Sequence, residues 1–148
     1  MKKQAKEWLE YATVDLQTAE RILGEQHLSR STAFHCHQAV EKALKSILED
    51  KEARIPKIHD LQKLLSMIRE QGIALPIEPS EIALLDGVYI GTRYPTDQGL
   101  VPAGDPSLET VHTFYKTARR VLDEVTRVID TPSGEQSGDE EASQDDLL

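Results

Sequence analysis

The 148-residue chain has a single cysteine, Cys36. That excludes an internal disulfide and any cysteine-rich metal site. No apolar run approaches the roughly 20 residues that a membrane-spanning helix needs. The basic start, MKKQAKEWLEYA, has no apolar stretch behind it that would make it a secretory signal. The expected location is the cytoplasm, with no membrane partner. There is no glycine-rich phosphate loop, no His-Glu-x-x-His and no serine elbow. A di-iron bundle needs two Glu-x-x-His motifs, and only Glu109 to His112 fits. His37 and Glu41 stand four apart and could share a metal, but no second pair matches them. Neither a metal nor a cofactor is expected.

A general basic footprint is also missing, because the net charge is −9. The negative charge is unevenly spread. From Thr131 onward there are six acids (Glu135, Asp139, Glu140, Glu141, Asp145 and Asp146) and no basic residue. Without that segment, 20 acidic and 17 basic residues remain, a body of only −3. Residues 131–148 are rich in Ser, Gly, Gln and acid, with almost nothing to bury, and are expected to form a disordered acidic tail. Residues 1–130 form one domain, large enough for a real core. Nucleic-acid binding, if present, must use a local basic site.

What is present is helical periodicity. Trp8, Ala12, Leu16, Ala19 and Leu23 recur at threes and fours, predicting a helix over about 4–26 that ends near Gly24. A second helix is expected from Ser29 or Ser31, either able to cap it, to about Glu49, with Val40, Ala43, Leu44, Ile47 and Leu48 facing inward. Ala33, Cys36 and His37 extend that face, so Cys36 should be a buried, inert thiol. Pro56 enforces a break. Leu61, Leu64, Leu65 and Ile68 mark a third helix, capped at its end by Gly72. Ser80 should cap a fourth, with Leu84, Leu85, Val88 and Tyr89 inward, stopping before Pro95. Asp105 followed by Pro106 signals the start of a fifth, whose stripe runs from Val111 to Ile129. No strand is expected. The fold class is all-α: an up-and-down four-helix bundle with a fifth helix.

The second helix carries more than a core face. His35, Gln38, Lys42 and Lys45 recur at spacings of three, four and three, and Glu41 stands four residues before Lys45, the favourable order for an ion pair. A solvated helix side would look much the same. However, Phe34 heads the stripe, and Asp15 lies on the apolar side of the first helix, where a carboxylate needs a partner. Lys42 and His35 are candidates for that partner.

FHCHQAVEKALKSIL, then IHDLQKLL, then TRYPTD, together resemble the HEPN domain family (higher eukaryotes and prokaryotes nucleotide-binding). The residues carrying the resemblance are Gln38, Ala39, Glu41, Lys42 and Lys45, then His59, Asp60 and Leu61, then Arg93, Tyr94 and Pro95. It covers about residues 5–130. It implies a helical bundle, usually a homodimer, that binds a nucleotide or an RNA phosphate. It also implies a minimal nucleotidyltransferase as partner in a toxin–antitoxin or defence pair. The ligand-binding set would be Gln38, Lys42, Lys45, His59, Arg93 and Tyr94. The lysines would serve as point charges, Arg93 as a planar fork, Tyr94 as a base-stacking ring and His59 at a helix start.

One branch of the family cleaves RNA without a metal through an Arg-x4–6-His motif. After Arg93 the corresponding positions are Gln98, Gly99 and Leu100, none an acid or base. A literal match, Arg30 to His35, opens the second helix instead. The expectation is a binding module without catalytic residues. A metal-independent ribonuclease toxin and a purely structural dimerisation bundle are the alternatives.

Overall fold

The computed structural model describes the backbone of residues 2–93 and 104–130, and the side chains of all of these except 88–93. The acidic tail lies outside the described residues, as do the side chains of Val88 and Tyr89. Among the described residues five α-helices form the bundle: α1 (Lys3–Arg21), α2 (Ser29–Asp50), α3 (Leu61–Glu70), α4 (Pro79–Arg93) and α5 (Leu108–Asp130). Among the described residues there is no strand. The fold is the expected all-α bundle.

α2 is the central helix and packs against the other four. Its neighbour α1 presents Ala5, Ala12 and Ala19 at seven-residue intervals, all fully buried. α2 in turn buries Ala33, Cys36, Ala39 and Ala43. Small side chains on both surfaces let two helix axes approach closely. The larger side chains of the core, Leu44, Ile47, Leu48, Leu61, Leu64, Leu65, Ile68, Ile82 and Leu85, come from α2, α3 and α4. α5 closes the core with Val111, Phe114, Ala118, Val121, Leu122, Val125 and Ile129, while Tyr115, also expected on this stripe, is only half-buried.

α2 starts at Ser29 as expected, but the caps and the starts of α4 and α5 differ from expectation. α1 ends at Arg21, and a 3₁₀ turn over Gln26–Leu28 leads directly into α2. Neither Ser29 nor Ser31 caps α2, because the chain enters already wound and Leu28 stands at the cap position without a side-chain bond. α4 begins at Pro79 rather than at a Ser80 cap, and Glu81 accepts a hydrogen bond from the Glu78 N–H at 3.3 Å. Proline suits a first helical position because it has no N–H to satisfy. α5 starts at Leu108, capped by Ser107, whose Oγ accepts from the Thr110 N–H at 3.1 Å. Asp105 is instead held by Arg30 from α2. Leu84, expected inside, is 61% exposed; Ile82 and Leu85 fill the core from α4.

Two helix ends use the same device. Gly72 has φ +82°, its N–H donates to Arg69 O at 2.9 Å, and Ile73 N–H donates to Ile68 O at 3.4 Å, the double bond pattern that closes a helix. At the end of α2 the left-handed position is Glu52, φ +57°, with Glu52 N–H to Glu49 O at 3.0 Å and Ala53 N–H to Leu48 O at 2.9 Å.

No helix among the described residues is long and apolar enough to cross a membrane.

Candidate functional site

The polar stripe of α2 is a pair of charge networks built between helices. The first centres on Asp15 of α1, which is buried. It accepts from His35 Nδ1 at 2.8 Å and from Lys42 Nζ at 2.6 Å. Both expected partners are therefore used. A buried carboxylate is stable as an ion only when it is paired and hydrogen-bonded, and here α2 supplies both donors.

The second network centres on Glu41, also buried. It accepts from Lys45 Nζ at 2.9 Å, from His59 Nδ1 at 3.0 Å and from Gln38 Nε2 at 3.4 Å. The side chain of Lys45 is only 8% exposed, and that of His59 is 58% exposed. His37 is fully buried, with Nδ1 at 3.9 Å from Glu41 and Nε2 at 3.0 Å from Asp86 of α4. Asp86 also accepts the backbone N–H of Leu61 at 3.0 Å and of Gln62 at 3.2 Å. One carboxylate thus ties α4 to α2 and caps the start of α3. Burial pushes the Asp86 carboxyl up. The His37 bond and the two backbone bonds outweigh it and hold the group below the usual range.

Of the six expected ligand contacts, Gln38, Lys45 and His59 converge on Glu41. Lys42 is held apart by Asp15. The two lysines do not form a joint point-charge site, because each ammonium lies within 2.9 Å of its own carboxylate. Arg93 is the last residue of α4, and its side chain is outside the described part. Tyr94 and positions 98–100 lie outside the described residues. Arg30 and His35 do not meet: Arg30 binds Asp105 and His35 binds Asp15. Five residues of helix separate them by about 140° around the axis. Cys36 is fully buried, and burial pushes its thiol up to about 12, the inert state expected.

Two features escaped the sequence reading. Asp86 interrupts the apolar run IALLDGVYI, and that interruption is the same signal that singled out Asp15. The other is the α2–α3 connector. Ala53, Ile55 and Ile58 pack against the core, while Arg54, Lys57 and His59 face solvent. Lys63, one turn into α3, is exposed as well. Among the described residues no carboxylate pairs with Arg54, Lys57 or Lys63. Lys42 and Lys45 of α2 are compensated by carboxylates, whereas this strip beside His59 carries three cations that are not. The run KEARIPKIHDLQK held the signal, in the alternation of apolar and basic residues after the helix break.

Architecture and network together define a class: a five-helix bundle whose central helix carries buried charges tied to its neighbours. The HEPN domain family model matches residues 5–128, and the chain belongs to that family. The crystal structure of TT1696 from Thermus thermophilus is similar, with a TM-score of 0.69 and 24% identity over 85% of this chain and 98% of that one. The crystal structure of ST0689, an archaeal HEPN homologue, has a TM-score of 0.66 and 22% identity over 88% of this chain and 100% of that one. At that identity the two structures establish the fold alone. No curated protein matches the chain.

Proposed function

We propose that this HEPN protein is a non-catalytic binding module that receives a nucleotide or RNA phosphate where the α2 network reaches the surface. It works as a homodimer and as the partner of a minimal nucleotidyltransferase in a toxin–antitoxin or defence pair. The observation that carries the phosphate reading is the placement of charge. Lys45 and Lys42 are neutralised by Glu41 and Asp15, whereas Arg54, Lys57 and Lys63 are exposed and unpaired among the described residues beside the half-exposed His59. A phosphate gains most from cations that need not leave a carboxylate to meet it. In this reading Glu41, with Gln38 and Lys45, holds the His59 ring. His59, Arg54 and Lys57 meet the phosphate, Lys42 lies at the margin, and Arg93 and Tyr94 add a fork and a stacking ring.

The test is calorimetric titration of the purified protein with ATP and AMP. Binding should weaken about tenfold in a His59→Ala, Arg54→Ala variant, the loss of roughly 1.4 kcal/mol expected when charge-assisted bonds are removed. It should weaken less in Lys42→Ala. Nucleotide affinity unchanged in the double variant removes the site. Co-purification with the neighbouring gene's product, if that product is a nucleotidyltransferase, tests the partnership.

A further inference from the structure

Beside the α2 stripe, α1 and the end of α2 form a second surface. There Gln4, Glu7, Trp8 and Tyr11, with Glu49 of α2, wall an open cavity of about 180 Å³. Trp8 is fixed by its indole N–H, which donates to Glu49 Oε1 at 3.2 Å. Tyr11, three residues on, is 65% exposed and so is open to a ligand. Both rings already face cations from within the chain: Lys45 Nζ lies 5.6 Å from the Trp8 ring and Lys42 Nζ 6.0 Å from the Tyr11 ring. Neither of those lysines serves the cavity's acids, since each is bound to a different carboxylate, and Lys2 is taken by Glu52. Among the described residues Glu7 and Glu49 form no ion pair.

We infer that this cavity is a recognition site for an arginine side chain of a partner polypeptide. Two aromatic walls and two uncompensated carboxylates ask for a cation. The volume is below the roughly 300 Å³ at which pockets for drug-sized ligands begin, and it suits the head of one side chain. A planar guanidinium stacks on a ring and bonds a carboxylate with two parallel N–H groups, which an ammonium cannot do. The site prefers the opposite charge to the phosphate site and uses other residues, so either proposal can fail without the other.

Trp8 is the only tryptophan and therefore reports directly on this cavity. Its fluorescence should be followed while acetyl-Gly-Arg-Gly-amide is added to the full chain, with the citrulline counterpart as neutral control. The expected result is a saturating change with half-saturation on the order of millimolar, as one side chain can supply, and at least tenfold weaker for citrulline. Glu7→Gln combined with Glu49→Gln should weaken the arginine response tenfold or more. If that pair alters the melting curve, Glu7→Gln alone, an exposed change, should still weaken it severalfold. No saturable change, an equal response to citrulline, or an unaltered affinity in a folded variant would overturn the inference. A saturable response to ATP in place of the arginine response would overturn it as well.

Discussion

Glu52 holds a backbone conformation that suits glycine. Its φ of +57° brings Cβ close to its own carbonyl, at a cost of about 1 kcal/mol for an L-residue. Its ion pair with Lys2 is exposed and offsets little of this. Glu52→Gly should therefore raise stability by roughly 0.5–1 kcal/mol, seen as a higher urea midpoint with the same slope; a lower midpoint would mean that the Lys2 pair dominates. Asp86 matters more, since three donors from two other helices meet on it. Asp86→Ala should cost about 2 kcal/mol by orphaning the buried His37 bond and the α3 cap. The carboxyl is held below its unfolded value near 3.9. Its contribution is thus complete above about pH 4 and disappears as pH falls through the lower folded value. Denaturation followed from pH 7 to pH 2 should show a loss of stability below about pH 4 that is reduced in Asp86→Asn. An unreduced loss would show that other carboxylates govern acid unfolding.

At the scale of the helices, the inward faces are legible in the sequence and the caps at the helix starts are not. The stripes of α1, α2, α3 and α5 follow from period alone, because a buried face must recur every three or four residues. Gly72 is legible because only a left-handed turn explains a glycine at that point. Sequence places the start of α2 at Ser29 but misassigns its cap, and it puts the starts of α4 and α5 about two residues off. Ser107 outcompetes Asp105 once Arg30 claims the acid from across the bundle. That pairing spans 75 positions and leaves no local trace. Period puts Leu84 inside because α4 is apolar on most of its surface, so nothing in the spacing separates Leu84 from Leu85. The Asp15 network can be read in outline, since a carboxylate on an apolar face demands a donor and α2 offers two. Asp86 obeys the same logic. The Glu41 network can be read only as its local pair with Lys45, because His59 arrives from beyond the helix break.

For the whole molecule, the proposed homodimer predicts a sedimenting species of twice 16.6 kDa; a species of 16.6 kDa alone would remove it. Tyr11, Val14 and Leu84 are the large apolar side chains exposed among the described residues. The central claim concerns where free positive charge sits on a protein of net charge −9. Lysines of the α2 stripe are spent on carboxylates, and the connector between α2 and α3 with the first turn of α3 presents three exposed cations that are not. The most direct measurement is the affinity for a short single-stranded RNA as a function of salt, for the native chain and for Arg54→Ala, Lys57→Ala. Each phosphate contact on a single strand contributes about 0.7 to the slope of log affinity against log salt. The double variant should bind with a slope shallower by about 1.4, with the RNA left uncut. An unchanged slope, or no binding by the native chain, would contradict the account.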